Sequence, residues 1–170
     1  MCGIIGVVFQ EPSDQLIPQV LDGLDLVLYR GYDSAGIAWI EDRTIRVVKG
    51  VGPPVEIRSG LARPAPETRT AIGHTRWATH GGVTDANAHP HLSCRGHVAV
   101  VHNGIITNGD ELRELLQRRS HEFRSETDTE VLAHLIGEYL NGDPIEAVRT
   151  ALSEVEGTYG IAVLFRDHPD

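Results

Sequence analysis

The sequence predicts an α+β fold organised around antiparallel sheet. Three observations lead there. Strand-like and helix-like segments come in blocks, with most strands first, the helices together late and a strand last, and they do not alternate as βαβ units would. The segments AGIAWIE and TIRVVKG meet at a bend over EDR, the pattern of a hairpin. No G-x-G-x-x-G and no Walker-type phosphate loop is present. A chain of 170 residues suits one domain with a real core, and 41% hydrophobic with 23% charged residues is an ordinary globular composition.

Taken in order, GIIGVVF reads as a short buried strand. Ile17, Val20, Leu21, Leu24, Val27 and Leu28 recur at helical spacing and predict a helix over roughly Ser13 to Leu28, with Pro18 tolerated in its first turn. YRGYDSAG is a turn-rich link into the hairpin. Pro53 to Thr68 holds a short helix and the loop RPAPE. TAIGHTR is a strand that runs into a long irregular segment, WATHGGVTDANAHPHLSCRG, and loops of that length in compact domains are usually functional. HVAVVHNGII is a strand. Helices follow near Asn108, from Thr129 to Leu140 and from Pro144, and TYGIAVLFR is the last strand.

The formal net charge of -9 disfavours nucleic acid and anionic membrane as partners, since both recruit clustered Lys and Arg. No apolar run approaches a bilayer span, and the first residues lack a secretory signature. With only Cys2 and Cys94 present, the simpler reading is a reduced, cytoplasmic protein. Six of the nine histidines lie between His74 and His102, but their spacings fit no standard zinc pattern, so no metal and no cofactor is expected.

Cys2 carries the first chemical signal. A core cysteine at the start of a strand is the plain reading. If Met1 is removed, however, Cys2 becomes the N-terminus, and its α-amine, which titrates near 7.7–8.0, stands beside its own thiol as a general base. Arg76, Trp77, Thr79 and His80 follow a strand; a solvated arginine and a packed tryptophan are the plain alternatives. Asn103-Gly104 is either a hairpin turn or a pair of oxyanion donors, the asparagine amide and a glycine N–H. Asp128 at a helix start is either a first-turn acid or a ligand for a cation.

MCGI, YRGYDSAG, HTRWATHG, NAHPH, VHNGII and SETDTEV, in that order, resemble the glutaminase domain of the glutamine–fructose-6-phosphate aminotransferase (isomerizing) family, also called glucosamine-6-phosphate synthases. The resemblance covers nearly the whole chain, residues 1–170. It implies a class II glutamine amidotransferase with the four-layer αββα sandwich of N-terminal-nucleophile hydrolases, expected to be incomplete at its C-terminal end as a fragment without the sugar-phosphate isomerase domains. It implies Cys2 as the nucleophile that hydrolyses L-glutamine to glutamate and ammonia through a thioester, with Asn103 and Gly104 as oxyanion donors. Arg76 would bind the glutamine carboxylate, Asp128 its ammonium, and Trp77, Thr79 and His80 would line the pocket, with Arg30 positioning the cysteine. In the full-length form, expected as a homodimer, the ammonia would convert fructose 6-phosphate to glucosamine 6-phosphate. Cys94 matches none of these motifs. A different ammonia acceptor, or an impaired glutamine-binding module, are the alternatives.

Overall fold

A computed structural model describes residues 2–78 and 81–168. Four strands form the first sheet: β1 (Gly3–Ser13), β2 (Ser34–Glu41), β3 (Thr44–Val51) and β4 (Thr68–Arg76), in the order β1-β4-β2-β3. The second sheet has the order β5-β6-β7, from β5 (His91–Leu92), β6 (Val98–Ile106) and β7 (Gly157–Phe165). Every pairing is antiparallel, as the block order predicts. The helices are α1 (Leu16–Leu26), α2 (Pro54–Arg58), α3 (Gly109–Arg118), α4 (Asp128–Tyr139) and α5 (Pro144–Ser153).

Strand alternation sorts the apolar residues into three spaces between four layers. Ile5, Val7, Ala35, Ile37 and Ala71 face Leu16, Val20, Leu21 and Leu24 of α1. Ile4, Ala38 and Ile72 face Ala99, Val101 and Leu164 across the gap between the sheets. Val98 and Val100, on the other face of β6, pack against Leu112, Leu116, Leu132 and Ile136 of α3 and α4. The expected αββα sandwich is therefore present, with β7 at an outer edge and its Tyr159 exposed.

The same alternation aims polar residues. In β4, Ile72 faces the gap between the sheets, so His74 and Arg76 do too. In β6, Val101 faces the gap, and so does Asn103. The segment ahead of β5 lies close against β2 because a small residue stands where they meet. A Cβ on Gly36 would lie 2.1 Å from the His89 carbonyl oxygen.

Several elements differ from the sequence reading. β1 runs on to Ser13 because Ser13 pairs with Thr68 beyond an irregularity in register, so α1 begins at Leu16 with Pro18 still in its first turn. The hairpin turns on Asp42 and Arg43, both at positive φ (49° and 57°). β5 emerges inside the long irregular segment, and two residues carry no periodicity by which to find it. In agreement with the strand reading of HVAVVHNGII, β6 continues through Asn103 and Gly104 to Ile106, so the hairpin alternative for Asn103-Gly104 does not hold.

Glu130 fastens the connection ahead of α4. Its buried carboxylate accepts from the Arg124 and Ser125 amides at 2.8 and 2.7 Å and from Ser125 Oγ at 2.6 Å. Burial pushes its pKa up, but the bonds from His134, Ser125 and Arg124 prevail and hold it at about 2. Glu130→Gln weakens these charge-assisted bonds and should lower the unfolding free energy by roughly 2–3 kcal/mol at neutral pH, measured by urea denaturation. A depressed carboxylate stabilises fully above its unfolded pKa, near 4.5, and ceases to do so as pH falls toward 2. The gap between the two proteins should close across that window.

Candidate active site

Cys2 lies just ahead of β1, where the ends of both sheets converge. Its carbonyl oxygen accepts from Asn103 Nδ2 at 2.9 Å and from Arg30 Nε at 3.2 Å. Its Sγ accepts from the Trp77 amide at 3.2 Å. Backbone and sulfur are thus fixed separately, by residues far apart in sequence.

Arg76 ends β4 and is buried, donating from Nη1 to the Gly82 carbonyl at 3.3 Å. Burial pulls its guanidinium below its ordinary pKa, while Cys2, Asp128 and Asp33 act the other way. An arginine so shifted still carries its charge. Asp128 is the first residue of α4. Its Oδ2 accepts the Ile106 amide at 3.0 Å, tying the helix to the end of β6, and its Oδ1 lies 3.9 Å from His102 Nδ1. Gly104 has φ +141°, and a Cβ there would meet the Thr158 carbonyl oxygen at 1.9 Å, so the backbone admits only glycine.

Cys2, Arg76, Trp77, Gly104 and Asp128 line one cleft of about 30 Å³. The structure therefore brings together the sulfur, one cation, one anion and the backbone of Gly104, with Asn103 and Arg30 one bond away through the Cys2 carbonyl. A space of that size suits water, not an amino acid. Trp77 contributes its amide, and its ring stands half out in solvent, edge-on to Tyr32 at 5.7 Å, rather than in the core. Thr79 and His80 lie outside the described residues.

Residues 64–167 match the family model described as a glutamine amidotransferase domain. The chain belongs to the glutamine amidotransferase domain family. Curated relatives extend the match over the whole chain. Glutamine–fructose-6-phosphate aminotransferases (isomerizing) of Clostridium tetani and Thermus thermophilus are each 49% identical across 100% of this chain. The chain spans 28% of the length of each of those relatives. Among solved structures, the glutamine phosphoribosylpyrophosphate amidotransferase of B. subtilis with ADP and GMP superposes with a TM-score of 0.79. It is 27% identical over 98% of this chain and 35% of its own. The allosteric regulatory enzyme of purine biosynthesis gives 0.80 and 28%, over 98% of this chain and 36% of its own. Among the described residues, no helix of the amidotransferase domain is long and apolar enough to cross a membrane.

The site of this amidotransferase domain also uses residues that sequence reasoning passed over. Asp33 Oδ2 accepts the Ala78 amide at 2.8 Å, and its own amide donates to the Arg76 carbonyl. Gly31 makes that approach feasible, since a Cβ would lie 2.7 Å from the Trp77 nitrogen. Asn87 and Glu126 clasp the other side: Asn87 Nδ2 donates to Glu126 Oε2 and to the Gly82 carbonyl, both at 3.0 Å. His74 Nε2 stands 3.0 Å from Asn103 Oδ1. With the asparagine nitrogen committed to Cys2, Oδ1 must accept, so His74 carries its proton on Nε2. The period-2 spacing of His74 and Arg76 in one strand was the available clue.

Beneath the cleft His74, His89, His91 and His102 are buried together, with the His74 and His89 rings 4.3 Å apart. Burial lowers all four pKa values, that of His74 to about 4. A histidine whose folded pKa lies below its unfolded value stabilises the fold above that unfolded value, 6.5, and progressively less as pH falls. The urea midpoint should therefore hold steady between about pH 7 and 8, below the range where Lys49, held by burial at about 8, loses its proton, and drop between about 6.5 and 4. Each histidine adds up to about 1.4 kcal/mol per pH unit. This acid step precedes the one caused by Glu130.

Proposed function

We propose that this chain is the ammonia-releasing part of a glutamine–fructose-6-phosphate aminotransferase, hydrolysing L-glutamine through Cys2. The observation that carries the reading is the cleft shared by Cys2, Arg76 and Asp128, three residues from separate segments that together suit a zwitterion with a reactive amide. Removal of Met1 frees the Cys2 amine, which takes the thiol proton, directly or through water. The thiolate attacks the side-chain carbonyl carbon of glutamine. The oxygen, now negative, receives hydrogen bonds from Asn103 Nδ2 and the Gly104 N–H. The ammonium form of the amine protonates the departing nitrogen, ammonia leaves, and a γ-glutamyl thioester remains. Water activated by the same amine releases glutamate and restores the thiol.

Arg76 binds the α-carboxylate with its planar fork, and Asp128 the α-ammonium through the oxygen not committed to Ile106. Arg30 acts through the Cys2 carbonyl as a positioning residue. The Asn103 amide already donates to Cys2, so turning it to the substrate oxygen changes one acceptor for another. Glutamine entry requires the cleft to widen. Thr79 and His80 complete the pocket in this reading. The names of the curated relatives support fructose 6-phosphate as the ammonia acceptor. In this reading the remainder of a cytoplasmic, homodimeric enzyme converts it to glucosamine 6-phosphate.

Ammonia release from glutamine should vanish in Cys2→Ala and in a chain whose N-terminus is extended ahead of Cys2. Undiminished turnover in either sinks the mechanism, and glutamine binding by calorimetry without ammonia release would identify a binding module instead. Asn103→Ala should lower kcat by 10²–10³, roughly 2.7–4 kcal/mol of transition-state stabilisation. Arg76→Lys should chiefly raise KM.

A further inference from the structure

Outside the cleft, Cys94, His121 and His134 meet on the far side of α4. Their ligand-bearing atoms all lie within 4.8 Å of one another. Cys94 Sγ is 3.5 Å from His121 Nδ1 and 3.4 Å from His134 Nδ1. Metal–sulfur and metal–nitrogen bonds of about 2.3 and 2.0–2.1 Å at a tetrahedral angle place sulfur and nitrogen about 3.6 Å apart. The two observed sulfur–nitrogen edges fit that polyhedron.

The outer nitrogens supply an independent observation. His121 Nε2 lies 3.3 Å from Glu138 Oε2, and His134 Nε2 lies 3.6 Å from Glu130 Oε1. Each imidazole therefore turns Nδ1 to the sulfur and Nε2 to a carboxylate. Metal-bound histidines have the same arrangement, in which the outer N–H donates to a carboxylate and the inner nitrogen keeps a lone pair. The Cys94 amide donates to His134 Nδ1 at 3.1 Å, and a cation would take that lone pair in its place. A cavity of about 310 Å³ opens beside Cys94, His121, His134 and Glu138, leaving room for water as a fourth ligand.

We infer that Cys94, His121 and His134 form a binding site for one divalent transition-metal ion of the zinc class. One thiolate and two imidazoles select such an ion over calcium or magnesium, which prefer oxygen. The site would join the turn before β6, the link from α3 to α4, and α4 itself, the helix that begins at Asp128. The inference is independent of the proposed glutamine chemistry.

The test uses the full chain in a Cys2→Ala background, so that a terminal cysteine cannot chelate the probe. Metal-free protein is titrated with Co²⁺ under a non-thiol reductant. Thiolate-to-cobalt charge-transfer absorption should saturate at one equivalent, collapse on addition of Zn²⁺, and be lost when Cys94→Ser or His121→Ala is added. Zinc should raise Tm in the Cys2→Ala chain and not in the Cys94→Ser variant. Circular dichroism of the metal-free variants establishes that they are folded. Absence of the band in folded Cys2→Ala protein, or its persistence with Cys94→Ser, overturns the inference, as does a zinc-independent Tm.

Discussion

The side-chain amide of Asn103 is the joint on which the site depends. It projects from β6 into the gap between the sheets. Its nitrogen holds the Cys2 carbonyl ahead of β1, and its oxygen faces His74 on β4. One small polar group thus ties both sheets and Cys2 together. Such a network is all or nothing: complete, it fixes a unique geometry, and with one partner missing it leaves a buried polar atom unpaired. Burial keeps His74 neutral, and the asparagine oxygen that faces it, its nitrogen being held by the Cys2 carbonyl, selects the Nε2–H tautomer. The Cys2 carbonyl and the His74 imidazole together hold the orientation of the Asn103 amide.

Close backbone approach is the second constraint, and glycine meets it at three places for distinct reasons. Gly31 lets the loop before β2 lie against Arg76 and Trp77. Gly36 lets the segment ahead of β5 press its His89 carbonyl against β2. Gly104 combines a positive φ with contact against β7. A side chain at any of these would push apart the segments whose convergence makes the cleft. The four-layer packing is thus a condition for the chemistry as well as a support for it.

Sequence alone exposed what is local. The hairpin, α3, α4 and α5 follow from periodicity and turn residues within a residue or two, and MCGI, HTRWATHG, VHNGII and SETDTEV marked the segments that line the cleft. What stayed hidden is long-range. His74 and Asn103 are 29 positions apart, and Cys94 lies 27 and 40 from its two histidines. Histidines crowd the stretch from His74 to His102, yet His74, His89, His91 and His102 are packed together in the interior, with their pKa values lowered by burial. The pair beside Cys94 comes from outside it. Asn-Gly by itself is also a turn signal, and here φ > 0 at Gly104 serves a strand distortion and not a reversal.

The groups of the cleft share a structural position: they stand at ends. Cys2 precedes β1, Arg76 closes β4, Asp128 opens α4, and Gly104 lies near the end of β6. An end residue has one side anchored in a hydrogen-bonded element and the other free of it. Its side chain inherits the precision of the scaffold, while the adjoining loop can rearrange at little energetic cost. The ends also supply chemistry. The first turn of α4 has unpaired N–H groups that favour negative charge, and the Asp128 carboxylate sits among them while also binding the Ile106 amide. The charge that would attract an ammonium group is therefore held by the same backbone that joins α4 to β6. In the proposed reading, recognition and packing at this corner rest on one carboxylate.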